Sequence, residues 1–173
     1  MDFGKIIERA LNIIQLKEEA IKEASEKREN FLWSILIVAI AGIAGAIGSL
    51  KIIPGIITLP ILAVILSFIG IGILWIIARI LGGKGEYISY YIPIAMTYIL
   101  QWVSVVPFIG AFLSTLAGIW IIVVTVKITQ IVHQLDLAKA IVVVLIPVVV
   151  AFFLFILLGA AALTIIGLKG LGF

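Results

Sequence analysis

Side chains that could carry catalysis or bind a metal are few in this sequence. It has one histidine, His133, and no cysteine, and beyond residue 30 its only acids are Glu86 and Asp136. A metal site needs several ligands close together, and a Ser-His-Asp set or a carboxylate pair needs acids near its other members. The sequence therefore predicts no catalytic, cofactor or metal site, and an enzyme is the least supported class of protein.

A glycine-rich segment, Gly-Gly-Lys-Gly beginning at Gly82, invites comparison with phosphate-binding loops. The Gly-x-x-x-x-Gly-Lys-Ser/Thr spacing of such loops is missing, and Glu86 follows the last glycine. We interpret Gly82 and Gly83 as part of a turn between two membrane helices. Arg79 and Lys84 then serve as anchors at the cytoplasmic surface.

The single histidine lies close to a predicted helix boundary. No second histidine or acid pair lies near His133 to complete a metal site, so we interpret it as an interfacial residue hydrogen-bonded at a helix end. Asp136 is predicted to cap the following helix, because aspartate is favoured at N-caps and an apolar run begins directly after it.

Few polar side chains lie inside the apolar stretches. Gln101 shares a helix face with Thr97 and Ser104, and such groups often join membrane helices through hydrogen bonds. Lys127 is the basic residue whose depth the sequence leaves open. Its long stem could carry the ammonium to the membrane surface, or the charge could lie buried on a polar path.

An aromatic row marks the third apolar stretch, where Tyr87, Tyr91, Tyr98 and Trp102 recur at helical spacing on one face. The first two fit an aromatic belt at the cytoplasmic membrane surface. The deeper two are expected to pack inside the bundle or to line a groove that faces lipid.

Small residues line the first apolar stretch, with Gly42, Gly45 and Gly48 at intervals of three. Helices in lipid associate through close packing, which small side chains permit. This glycine wall predicts a contact with another helix, and pore lining is the less favoured interpretation.

The composition of the chain is that of an integral membrane protein. The 173 residues are 64% hydrophobic and 12% charged, and the mean hydropathy is +1.37, whereas soluble domains are about half apolar and about a quarter charged. A membrane crossing needs ~20 apolar residues. The sequence therefore predicts an all-α bundle of five spans, at about 31–50, 57–80, 88–107, 109–132 and 137–167. The abundance of isoleucine and the lack of cysteine suit a thermophile.

The charged leader, residues 1–30, is predicted to form one amphipathic helix outside the membrane, because its apolar residues recur with a period near 3.6. It could pack on its own bundle, lie on lipid or dock a partner. In the five-span topology ten basic residues fall on the leader's side and two, Lys51 and Lys169, on the other. Since basic residues favour the cytoplasmic side, we expect a cytoplasmic N-terminus and a C-terminus outside.

Several short motifs follow one another from residue 78 onward. They are Ala78-Arg79-Ile80-Leu81-Gly82-Gly83, Tyr90-Tyr91-Ile92-Pro93, Val106-Pro107-Phe108-Ile109-Gly110, Ile119-Trp120, Val132-His133-Gln134-Leu135-Asp136 and Ile146-Pro147. Their order and spacing resemble the YIP family of multispan membrane proteins, named for interaction with Ypt/Rab GTPases. The resemblance implies a cytoplasmic N-terminal segment, five membrane helices and a C-terminus outside the cytoplasm. The Asp-Leu-Tyr-Gly-Pro motif of many eukaryotic members is missing, so we expect the prokaryotic branch and carry over no GTPase binding.

The favoured hypothesis for function is a non-enzymatic membrane scaffold whose cytoplasmic helix and inner loops bind a protein partner or lipid headgroups. The alternative is a small transporter or channel, working as a homo-oligomer, with Lys127 and Gln101 along its path. Sparse charge inside the spans argues against ion-coupled transport, whereas Pro93, Pro107 and Pro147 could break helices as in transporters. The basic residues lie between apolar stretches, where they set orientation, so no nucleic-acid partner is expected.

Overall fold

The computed structural model describes residues 2–50 and 52–170, with side chains for 2–50, 55–154 and 156–159. Lys51 and the side chain of Lys169, the two basic residues of the less basic side, lie outside these ranges. Every described element is helical. In chain order the elements are α1 (Phe3–Ile14), α2 (Glu18–Glu26), a 3₁₀ turn (Arg28–Asn30), α3 (Phe31–Gly48), α4 (Ile52–Ile80), α5 (Tyr87–Met96), a 3₁₀ segment (Thr97–Val105), α6 (Ile109–His133) and α7 (Leu137–Gly170).

Five helical stretches of the described chain are long and apolar enough to cross a membrane. They are Arg28–Gly48, Gly55–Ile80, Tyr87–Val105, Ile109–His133 and Leu137–Gly159. The predicted all-α membrane architecture with five spans is therefore confirmed.

The third span is α-helical only in its first half. It changes at Thr97 to a 3₁₀ helix, where the Thr97 hydroxyl donates to the carbonyl of Ile94 at 2.6 Å. Such a local side-chain bond competes with the α-helical backbone pattern. Pro107 then lies in a tight turn, closed by bonds from Ile109 N–H to the Pro107 carbonyl and from Gly110 N–H to the Val106 carbonyl, each 2.8 Å long. The third and fourth spans thus form a helical hairpin, with the 3₁₀ segment as part of one arm.

The leader differs from the single helix expected over residues 1–30. It forms two helices, α1 and α2, and the chain between them passes through Leu16 with a φ of 63°. The two helices fold onto the bundle, so that Ile6, Ala10 and Ile13 of α1 and Ile21 of α2 are buried in the same apolar core as the spans. The apolar stripe left packing on the bundle, lying on lipid and docking a partner open, and it did not indicate the bend that lets both halves pack.

The third span lies at the centre of this core. It is the least hydrophobic of the five stretches and the most buried, which is the arrangement expected when other helices, rather than lipid, surround it. Tyr90 and Tyr91 are fully buried, and Tyr91 stacks on Phe68 with ring centroids 4.5 Å apart. Tyr87 donates a hydrogen bond to the Phe68 carbonyl at 3.0 Å. Tyr91 therefore joins helices inside the bundle and does not belong to the predicted aromatic belt, whereas Tyr87 is only partly buried.

The glycine wall of α3 makes two close contacts with other elements. A Cβ atom on Gly42 would lie 2.5 Å from the Cα of Pro60 in α4, and one on Gly48 would lie 1.7 Å from the Ser104 carbonyl oxygen. Gly45 is different, since a Cβ there would meet only the Ser104 hydroxyl, at 4.0 Å. Two of the three glycines thus permit close helix packing, while Gly45 faces open space.

Candidate functional site

The leader is fixed to the bundle by a buried arginine. Arg9 is only 8% exposed, and its guanidinium donates to Asn30 Oδ1 at 2.9 Å and to Glu23 Oε1 at 2.5 Å. Glu23 also accepts from Lys27 at 2.6 Å. Because Asn30 precedes α3 directly, Arg9 ties α1 and α2 to the start of the first span. The guanidinium fork suits this role, as it can bond two partners at once.

The hydrogen bond from Lys27, together with the charge of Arg9, lowers the pKa of the Glu23 carboxyl against the opposing effect of its partial burial. A carboxyl with a lowered pKa stays ionised at neutral pH. Its contribution to folding is lost only as the pH falls through that lowered value.

Lys127 of α6 makes a second link to the leader. Its ammonium forms an ion pair with Glu18 at 2.5 Å, and its side chain is 32% exposed. The hydrogen bond and charge of this ammonium lower the pKa of the Glu18 carboxyl. The leader therefore supplies an acidic partner for the Lys127 ammonium. This ammonium is neither an unpaired charge at the membrane surface nor an unpaired charge in the core.

A third link lies deeper along α6. The indole N–H of Trp120 donates to the carbonyl of Ile14, the last residue of α1, at 2.9 Å. Trp120 is ~20 Å along the helix from its end at His133, at 1.5 Å per residue. The end of α1 thus packs beside the middle of α6, and the leader is an integral part of the bundle.

His133 ends α6 beneath the glycine-rich loop. It is fully buried, and its Nδ1 atom accepts a hydrogen bond from Gly85 N–H at 3.2 Å. Gly83 packs so closely that a Cβ atom there would lie 2.6 Å from His133 Nδ1. Gly82 has a φ of 93°, in the left-handed region that glycine adopts most readily. The Gly82–Gly85 loop is thus a packed turn over a histidine, without the arrangement of a phosphate-binding loop.

Two polar contacts complete this end of the bundle, which we call the loop end because it carries residues 82–86 and 134–136. Asp136 caps α7 as predicted, accepting the N–H of Lys139 at 2.9 Å. Arg28 pairs with Glu86 at 2.7 Å and so joins the leader to the loop. The loop end and the charged surface of the leader therefore form one continuous face, which we call the leader face.

The remaining residues singled out in the sequence lie apart from this face. Tyr91 and Pro93 are buried in α5, and the Tyr91 hydroxyl is 2.9 Å from that of Ser67. Gln101 lies in the 3₁₀ segment, where its amide donates to the Ser114 carbonyl at 3.4 Å. Pro147 lies within α7. The structure therefore brings Gly82, Gly83, His133 and Asp136 together and leaves the others in separate structural positions.

The partners that hold the leader were missed in the sequence. Glu18, Asn30 and Trp120 contact residues distant in the chain, and no local pattern marks them. Arg9 did carry a signal, since it follows Ile6 and precedes Ala10 and Ile13 on the buried side of the predicted stripe. A charge on the apolar side of a helix requires a partner, and here Glu23 supplies one.

The leader face carries binding chemistry rather than acid–base chemistry. Its described ion pairs join Arg9 and Lys27 to Glu23, Arg28 to Glu86 and Lys127 to Glu18, and its histidine is buried under the loop. No group of three or more His, Asp or Glu side chains among the described residues could hold a metal ion.

Comparison with known proteins identifies one family. The family model for the Yip1 domain matches residues 14–158, most of the chain. No curated protein matches the sequence, and no solved structure does.

Proposed function

Since the chain belongs to the Yip1 domain family of multispan membrane proteins, we propose that it is a non-enzymatic membrane scaffold. The observation that carries this proposal is the docked leader, which turns a charged N-terminal segment into a fixed surface. Arg9 bonds Asn30 at the start of the first span, Lys127 of α6 pairs with Glu18, and Arg28 pairs with Glu86 of the loop.

The charge pattern of the leader face supports a protein partner in the cytoplasm. Lipid headgroups of the inner leaflet attract clusters of basic residues. The leader instead carries six basic and seven acidic residues. Within it, α2 has four acids, Glu18, Glu19, Glu23 and Glu26, and one base, Lys22. Such a mixed surface favours a partner with complementary charges over an anionic membrane.

The spans themselves support a scaffold over the alternative, a small oligomeric transporter. Their described charged side chains, Arg28, Glu29, Arg79, Lys127 and Lys139, all lie toward the loop end. Thr125 and Thr129 donate to backbone carbonyls of their own helix, and Tyr90 bonds Thr129 at 2.6 Å. These polar groups are therefore paired with one another and do not form a polar path along the bundle.

The proposal requires that the leader face be cytoplasmic, as the basic residues predict. Cysteine introduced at Lys84 should resist a membrane-impermeant maleimide added to intact cells, whereas cysteine at Gly170 should react. The chain has no native cysteine to confuse the result. Labelling at position 84 with protection at position 170 would reverse the orientation.

Lys127 offers the test between scaffold and transporter. We expect Lys127→Arg to keep the ion pair with Glu18, and Lys127→Met to cost less than about 1 kcal/mol of stability because the pair is partly exposed.

Liposomes that contain the wild-type chain should show no more solute or ion flux than empty liposomes. A pull-down from membranes should in parallel recover a cytoplasmic partner, and charge reversal at Glu19 and Lys22 on the exposed side of α2 should weaken its capture. A flux that Lys127→Met abolishes in a folded protein would favour the transporter.

A further inference from the structure

A cavity of about 470 Å³ opens at the end of the bundle opposite the loop end. The glycine wall of α3 forms one side of it, with Gly45 at its centre, and the 3₁₀ segment and the start of α6 form the others. Tyr98, Gln101, Ser104 and Ser114 contribute polar side chains, as does Ser49, whose hydroxyl donates to the Ala46 carbonyl at 3.2 Å. No charged residue lines it.

One hydroxyl group of this cavity, that of Ser114, is buried and has no hydrogen-bond partner among the described residues. Ser34 and Thr125 of the spans instead donate to nearby carbonyls at 2.7 Å. A buried polar group without a partner is costly to leave unsatisfied. Because the hydroxyls of Tyr98 and Ser104 line the same cavity, the Ser114 hydroxyl indicates a bound molecule that supplies hydrogen-bonding atoms.

The chemistry of the lining restricts what this molecule can be. Three hydroxyls and one amide donate hydrogen bonds, so they suit neutral oxygen atoms such as ester carbonyls and hydroxyls. Without a lysine or arginine, the cavity offers no partner for a phosphate or carboxylate. The rest of the lining is glycine, alanine and aromatic carbon, which suits a hydrocarbon chain.

The mouth of the cavity faces an apolar surface. Ser49 and Ala111 are exposed at its edge, and the neighbouring Phe108 and Phe112 are 88% and 66% exposed. A water-soluble ligand would have to pass this apolar rim, whereas a lipid already lies beside it. The surroundings therefore favour entry from the bilayer.

We propose that this cavity binds the glycerol region of a membrane lipid, with hydrogen bonds from Tyr98, Gln101, Ser104 and Ser114 to neutral lipid oxygens. The site is independent of the leader face and of any partner bound there. It selects for uncharged oxygen atoms at the level where the acyl chains begin, and not for the charge of a headgroup.

Native mass spectrometry of the full chain in detergent, with dioleoylglycerol as the probe, tests the proposal. We expect the wild-type chain to retain one molecule of this neutral lipid. Gly45→Leu should weaken binding at least tenfold, because its side chain fills the cavity without meeting the backbone of another element. The double change Gln101→Leu and Ser114→Ala keeps the shape and removes two donors, for an expected loss of about tenfold to thirtyfold at roughly 1 kcal/mol per bond.

Gly70→Leu is the matched control, since Gly70 lines a second cavity of about 290 Å³ beside α7, which shares only Tyr98 with the first. It should bind the probe as the wild-type chain does. Failure of the wild-type chain to retain dioleoylglycerol would mean that the cavity holds water only, and the proposal would be wrong. Equal binding by the double variant and the wild type would also overturn it, whether or not Gly45→Leu folds.

Discussion

Replacing Gly48 with alanine should destabilise the bundle more than a comparable change at Gly45 or Gly70. The added methyl group would lie 1.7 Å from the Ser104 carbonyl oxygen, which belongs to the backbone and cannot rotate away. Gly110 of α6 approaches the same oxygen from another side, at 2.8 Å from its own ideal Cβ position. Ser104 is therefore held between two glycines, and α3 can accept a side chain at position 48 only by separating from the 3₁₀ segment.

The expected loss for Gly48→Ala is about 3 kcal/mol or more, at the upper end of the range for overpacked sites. In a detergent melting assay this corresponds to a fall in Tm of roughly 6–12 °C for a protein of this size.

Gly45→Ala and Gly70→Ala are the controls in the same type of helix. The first meets one flexible hydroxyl at 4.0 Å and the second meets no atom within 4 Å. Both should be neutral or slightly stabilising, because alanine is favoured over glycine in helices by about 1 kcal/mol. If all three alanine variants melt together, the contact between Gly48 and Ser104 does not stabilise the bundle.

These glycines also show how far the sequence could predict the fold. Spacing alone identified a wall that packs, since every third residue of a helix falls near one face. It could not show that Gly42 meets α4, that Gly48 meets the 3₁₀ segment and that Gly45 faces a cavity. Those differences depend on where α4 and the 3₁₀ segment lie, and the sequence of α3 alone does not determine this.

The spans and the helix cap were predictable because their signals are local. A membrane span needs only a long apolar run, and Asp136 caps the helix that begins at the next residue. Tyr91 was misplaced for the opposite reason. Tyrosine occurs both at membrane surfaces and in bundle cores, and its location depends on partners such as Ser67 and Thr129 on other helices.

Only those residues of the candidate site that lie near the loop end were predictable from the sequence. The order of Gly82, Gly83, His133 and Asp136 indicated two turns at one membrane surface, and the structure packs these turns together. The docked leader was not predictable from periodicity, because a stripe of apolar residues has the same form on water-exposed, lipid-bound and packed helices. The contact of Ile14 with Trp120 decides between them and joins residues far apart in the chain.

Replacing Arg9 with methionine should loosen the packing of α1 on the bundle while leaving the spans folded. The change removes the bonds to Asn30 and Glu23 and leaves the fully buried Asn30 without its charged donor. Glu23 is 44% exposed, so water compensates for much of its loss. The main cost is the bond to Asn30, about 2 kcal/mol for a buried hydrogen bond to a charged group.

This cost should appear in hydrogen exchange as a local effect. At about 1.4 kcal/mol per factor of ten, the amides of α1 should lose protection by roughly thirtyfold, while those of α3 and α4 should keep theirs. Lys5→Met is the matched control, since Lys5 is an exposed cation on the same helix, and it should leave exchange unchanged. Asn30→Ala combined with Arg9→Met should cost less than the two single changes added together, because both remove the same bond. Unchanged protection of α1 in Arg9→Met would show that the apolar contacts and the links through Lys127, Trp120 and Arg28 hold the leader without this arginine. The fixed surface proposed for partner binding would then not depend on Arg9.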